Sequence, residues 1–261
     1  MASTYNTEYV SINNEYDYCC WELEKTHTEG NNVPAGVPLI KINNEWYFNY
    51  TAPIQEMIER NTQTCFEKRL LTSSEYVGIV VAGTIIFKHP ITGVVLGTSA
   101  YATYQASTVY WFFNQVNHKA EWDIKREERW EEQLPRLPFL YVESFYYDGE
   151  IMTAEDLGNY AFAYWGRAAK FGNDMLQWGA GVAQVKNDQY SHLSTFPGYA
   201  AAMIDSDTFN SPYGDMPNDV IAINKGIQAF ESDYPNYDVV LNFHPDYGTN
   251  LFNEIYDMFN S

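Results

Sequence analysis

Apolar and polar positions along the chain predict a β-patterned first third followed by a mostly helical remainder. Leu39–Ile42 and Trp46–Tyr50 are two short β-prone runs separated by Asn43-Asn44, the pattern of a hairpin. From Pro53 to Leu70 the spacing becomes helical. Ile54, Met57, Ile58 and Cys65 fall near one face, and Glu56, Glu59, Glu67 and Lys68 lie outside it. Residues 76–113 are rich in Val, Ile, Thr, Tyr and Phe, with Pro90 and Gly93 marking a turn. This stretch fits a short antiparallel element or a buried helix, and pattern alone does not decide between them.

Helical signals dominate from Trp122 onward. Asp123–Leu134 is dense in good helix formers and is stopped by Pro135 and Pro138. The run 141–151 reads as extended, turning at Asp148-Gly149. Thr153-x-x-Asp156 is a capping box that opens a helix to about Phe171, with Gly172 as its C-terminal signal. Asp174 caps a helix through Gln184, and residues 187–214 read as a loop. Asp215 then caps a last helix, with Pro217 in its first turn. The predicted class is α+β, predominantly helical, with residues 1–50 as a hairpin-containing extension and 51–261 as the main domain.

Composition narrows the possible functions. The chain has 261 residues, of which 17% are aromatic, so it can bury a core despite a net charge of −19. With 34 Asp+Glu against 15 Lys+Arg, the body as a whole is no basic nucleic-acid binder. Three Cys are too few for a disulfide-stapled miniprotein; Cys19, Cys20 and Cys65 are expected as free thiols of a chain made in a reducing cytosol. The start, MASTYNTEYV, lacks the basic-then-apolar pattern of a cleaved secretory signal. The most apolar run, Val77–Phe87, has 11 residues and is too short to span a bilayer, so no membrane insertion is expected.

Three segments carry polar groups that a simple core helix would not need. The first runs from Trp111-Phe112-Phe113-Asn114 through His118 to Trp122-Asp123-Ile124-Lys125. Asp123 can serve as general acid or base there, and Lys125 can hold an anion or offset developing negative charge. Asp123 is equally a plain cap for a solvated helix. The second is Glu155-Asp156-Leu157-Gly158-Asn159, continuing to Gly166-Arg167. Asp156 and Asn159, three apart, share a helix face, although capping alone also accounts for Asp156. The third pairs Gly179-Ala180-Gly181-Val182-Ala183-Gln184 with Gly214-Asp215-Met216-Pro217-Asn218-Asp219. Gln184 needs hydrogen-bond partners if buried, while Asp215 and Asp219 suit a helix start. Phosphate-loop, dinucleotide, zinc and nucleophile-elbow motifs are absent from the sequence.

In this order the three segments resemble the polymorphic toxin type 44 (bacterial toxin 44) family over roughly residues 50–235. Two departures stand out. Lys119-Ala120-Glu121 replaces the usual Gly-Gly-Pro before Trp122, and Met216 replaces the usual second Asp. The resemblance implies a bacterial polymorphic-toxin effector of hydrolase type, made in the bacterial cytoplasm without a cleaved signal peptide. Delivery to a target cell would use specialised secretion machinery or a larger carrier protein, and a cognate immunity protein would be its partner. It carries over Asp123, Lys125 and Asp156 as catalytic candidates. Substrate-binding candidates are His118, Trp122, Asn159, Arg167, Gln184, Asp215 and Asp219. No metal and no cofactor is expected. A metal-independent RNase acting on target-cell RNA leads. A peptidoglycan hydrolase using paired carboxylates is the alternative, and a non-enzymatic binding protein is the third reading.

Overall fold

A computed structural model describes residues 8–10, 39–87, 90–135, 137, 139, 143–193, 195–203, 205–208 and 212–238. Cys19 and Cys20 lie outside them. The elements run β1 (Glu8–Val10), β2 (Leu39–Ile42), β3 (Glu45–Phe48), α1 (Thr51–Lys68), α2 (Ser73–Phe87), α3 (Pro90–Val116) and α4 (Glu127–Gln133). They continue with β4 (Phe145–Tyr147), β5 (Glu150–Met152), α5 (Ala154–Ala168), α6 (Asn173–Gln189), α7 (Thr195–Met203), a 3-10 turn (Ser206–Thr208) and α8 (Pro217–Asp233). The fold is α+β and mostly helical, with two small antiparallel sheets of order β1-β2-β3 and β4-β5. The chain divides into two compact units: residues 1–61 with 115–158, and residues 62–114 with 159–261.

In the first unit, both hairpins close through two-residue turns with positive φ. Asn43 (φ 53) and Asn44 (φ 69) join β2 to β3, and Asp148 (φ 43) and Gly149 (φ 94) join β4 to β5. Asn, Asp and Gly tolerate this conformation, and its twist matches that of the flanking strands. The Tyr50 amide donates to the Tyr146 carbonyl at 2.9 Å, tying the end of the first hairpin to the second. Tyr50 is fully buried against Phe48, Phe145 and Trp130, and burial pushes its phenol far above the usual range. Trp130, also fully buried, donates its indole N–H to the Leu137 carbonyl at 3.0 Å. On α1, Ile54, Met57, Ile58 and Cys65 are all buried, as the periodicity predicts.

The second unit resolves the undecided stretch 76–113 in favour of helix. Thr72 and Glu75 form a reciprocal capping box. Glu75 Oε2 accepts the Thr72 N–H at 2.7 Å, and Thr72 Oγ1 accepts the Glu75 N–H at 3.3 Å. Pro90 opens α3, where its missing N–H costs nothing. The predicted loop 187–214 contains α7 and the 3-10 turn. Val182, Val185, Tyr199 and Ala202 form a buried cluster between α6 and α7, with Phe113 packed against it.

Arg69 holds Glu75 through two hydrogen bonds of 2.7 and 3.0 Å. This pair, with Thr72, lowers the Glu75 carboxyl from 4.5 to about 2. A carboxyl depressed in the folded state adds stability above its unfolded pKa and loses that contribution as pH falls. The Glu75→Gln variant is therefore expected to be less stable than wild type above pH 4.5, with the gap closing as pH drops toward about 2. Urea denaturation of both proteins across that window checks it.

Close helix approach defines the rest of the second unit. A Cβ at Gly226 of α8 would collide with the Tyr160 carbonyl of α5. Alanine ordinarily gains up to ~1 kcal/mol over glycine in a helix interior. Here Gly226→Ala is expected to destabilise by about 1–3 kcal/mol, because backbone rather than a flexible side chain must move. Equilibrium denaturation reads the sign directly.

Candidate functional site

Residues 117–126 form a series of turns, and the helix predicted from Asp123 onward starts only at Glu127, as α4. The reason lies in the Asp123 side chain, whose Oδ2 accepts the Lys119 N–H at 2.8 Å. A short side-chain acceptor that bonds nearby backbone competes with helix formation. Lys119 itself sits at φ 64, a left-handed conformation disfavoured for a lysine. Arg129 donates twice to the Lys119 carbonyl, at 3.2 and 3.1 Å, pinning both sides of the strained residue. Trp122 is buried and its N–H donates to Gln115.

The turn also gathers charge. Asp123 is only 8% exposed. Arg126 Nε lies 3.5 Å from its Oδ2, and His118 Nδ1 lies 3.9 Å from the same oxygen. The Arg126 guanidinium also reaches His118 Nδ1 at 3.2 Å, so it bridges the imidazole and the carboxylate. Among the described residues, Lys119, Arg126 and His118 all meet the Asp123 carboxylate at Oδ2. Arg126, outside the candidate set read from sequence, is the residue that joins the group. Its i,i+3 spacing from Asp123 was the available signal.

Lys125 connects this turn to the second motif. Its aliphatic stem lies over Gly158, where any Cβ would collide with it. The first unit thus brings the 118–125 segment against the first turns of α5. Asp156, two residues before Gly158, is engaged in capping. Its Oδ2 accepts the Thr153 N–H at 3.0 Å and the Thr153 hydroxyl at 2.7 Å.

The other candidates belong to the second unit. Asn159 is buried near the start of α5. Arg167 is 4% exposed and donates to the Phe171 carbonyl at 2.9 Å and to Glu231 at 3.1 Å. Burial lowers its guanidinium pKa, with Glu231 opposing. This is the geometry of a structural clasp between the end of α5 and α8. Lys170, at φ 72, takes the left-handed position that ends α5, so Gly172 serves as the N-cap of α6 instead of the predicted C-cap. Gln184 is half-buried and donates to Asp188 at 2.8 Å. Asp215 is buried and accepts the Met216 N–H at 3.0 Å, while Met216 stands at the N-cap of α8. Asp219 occupies the first turn of α8. The two halves of the third motif do meet: Gly181 leaves room for the Tyr213 carbonyl, and Gly214 for Val185. Among the described residues, no group of three or more His, Cys, Asp or Glu side chains is placed to hold a metal ion.

The order of motifs agrees with one comparison. Residues 111–232 match the family model for bacterial toxin 44. This stretch is similar to bacterial toxin 44 domains. It contains the 117–126 turn, the Lys125–Gly158 contact and both halves of the third motif. No curated protein and no solved structure matches the chain. Among the described residues, no helix is long and apolar enough to cross a membrane.

Proposed function

We propose that the toxin domain is a metal-independent RNase acting on target-cell RNA, with Asp123 and His118 as its proton-transfer pair. One observation carries the reading: the nearly buried Asp123 carboxylate shares a turn with an imidazole and a guanidinium. Asp123 Oδ1 takes the proton of a ribose 2′-hydroxyl, and the freed oxygen attacks the adjacent phosphorus. His118, protonated once its Nδ1 has turned away from the Arg126 donor, gives that proton to the leaving 5′-oxygen, and a 2′,3′-cyclic phosphate and a 5′-hydroxyl end result. Lys125 and Arg126 offset the charge that builds on the non-bridging oxygens. Lys119, Lys125, Arg126 and Arg129 are balanced by Glu121, Asp123, Glu127 and Glu128, so this segment is neutral in a chain of net charge −19. Attraction to phosphate then rests on the individual Lys125 and Arg126 side chains and not on a basic patch.

The glycan-hydrolase alternative requires a second working carboxylate. Asp156 is the candidate, and its Oδ2 already serves the helix cap. A toxin domain also calls for a cognate immunity protein and a delivery system, and an immunity protein covering the 117–126 turn would silence it.

The experiment is digestion of total RNA by the purified chain, with and without EDTA, beside expression in the cytosol and the periplasm. The reading expects RNA degradation that survives EDTA and toxicity in the cytosol. Intact RNA together with soluble fragments released from peptidoglycan would replace it with the glycan reading.

A further inference from the structure

Gly158 carries a cost that its backbone does not explain. It lies inside α5, where glycine weakens a helix relative to alanine. Its φ is not in the left-handed region, so any residue could adopt the conformation. The reason is space. A Cβ there would collide with Lys125 Cγ and would stand 2.9 and 3.1 Å from Cε and Cδ. Three successive methylenes of the lysine therefore rest on a helix position that has no side chain. Gly166 and Gly226 make room for groups of the packed interior, Leu176 and the Tyr160 carbonyl. Lys125 is different: it is half-buried and ends in a charge.

The seat fixes the ammonium. A lysine side chain ordinarily samples many rotamers, and its charged end follows water. Here Ile124, fully buried, holds the backbone beside Lys125, and Gly158 holds the stem as far as Cε. Only the Cε–Nζ bond extends past the seated atoms. Lys125 stands two residues from Asp123, on the turn that also carries His118 and Arg126. A cation whose place is set before substrate arrives offsets developing charge without reorganising, and that is where electrostatic stabilisation gains most. A lysine that merely covers surface needs no glycine under its stem.

We propose that Gly158 is a positioning residue for the reaction on this turn: it yields its Cβ space to the Lys125 stem and so holds the ammonium where charge builds on the phosphate oxygens. This rests on the RNase reading of the turn. Gly158 touches no reacting atom and acts only through Lys125.

Four full-length proteins test this: wild type, Gly158→Ala, Lys125→Ala and the double variant, each measured for melting temperature and for kcat and KM on an RNA oligonucleotide. Gly158→Ala is expected to melt at or above wild type, since alanine favours the helix and the lysine stem can swing away. Its kcat is expected to fall about tenfold with KM within about twofold of wild type, because the displaced ammonium acts on the transition state. Lys125→Ala is expected to lose at least as much. In that background Gly158→Ala is expected to raise the melting temperature and leave kcat unchanged. Wild-type kcat in Gly158→Ala, or an equal further loss in the Lys125→Ala background, would overturn the proposal. So would a double variant that melts below Lys125→Ala, since something other than the stem would then need the glycine. That comparison decides the matter if Gly158→Ala alone is too unstable to assay. If wild type cleaves no RNA, the RNase reading falls, while the melting temperatures and growth inhibition by the four proteins in cells still judge Gly158.

Discussion

Asp123→Ala is expected to lower RNA cleavage by about 10²–10⁴-fold, the range for losing a positioned proton-transfer group. Part of the change is structural. The Lys119 N–H loses its acceptor, and Lys119 keeps its left-handed φ of 64 with less to hold it there. Leaving that donor unsatisfied is expected to cost about 1–3 kcal/mol if the turn does not relax. Asp123→Asn separates the two effects. Its amide oxygen can still accept the Lys119 N–H, but it cannot take a proton. The Asn variant is expected to recover most of the stability and none of the activity. Urea denaturation and cleavage rates on the same preparations check this. A fully active Asn variant would reduce Asp123 to a turn cap.

Trp130→Ala is expected to be the most destabilising single change in the first unit, at about 3–5 kcal/mol. The ring is fully buried between Tyr50, Phe139 and Phe145. Its backbone N–H donates to the Arg126 carbonyl at 2.8 Å, so the core of the unit and the charged turn share an anchor. Trp130→Phe keeps an aromatic filler but leaves the Leu137 carbonyl without its indole donor. That is expected to cost about 1–3 kcal/mol. Equilibrium unfolding of the two variants should rank them in that order. Activity should fall with the Ala variant under conditions that leave a large unfolded fraction.

Much of this architecture was legible because local chemistry and tertiary packing agree. The Asn43-Asn44 and Asp148-Gly149 turns, the buried face of α1 and the Thr153–Asp156 capping box all came from short patterns. The stretch 76–113 was ambiguous because β-branched residues fill it. The signal that settles it is Thr72-x-x-Glu75, a capping box that precedes the apolar run. The helix predicted over 123–134 begins four residues late because the Asp123 carboxylate bonds Lys119. No periodicity argument anticipates that competition.

The candidate site was legible in part for a related reason. Motif spacing picked out His118, Asp123 and Lys125, which the first unit places on one turn or against it. It also picked out Arg167, whose clasp on Glu231 and Phe171 depends on elements far away in sequence. Glycines raised the same ambiguity. Gly158 makes room for the Lys125 stem, whereas Gly166 makes room for Leu176, and the sequence does not distinguish a functional neighbour from a core one.

The most direct measurement is single-turnover cleavage of an end-labelled RNA oligonucleotide beside its 2′-deoxy counterpart, with the new termini identified. Attack by the 2′-oxygen under Asp123 and His118 predicts 2′,3′-cyclic phosphate ends, an inert deoxy strand, and loss of the reaction in both Asp123→Asn and His118→Ala. Cleavage of the deoxy strand, or full activity in either variant, would contradict a catalytic centre on this turn.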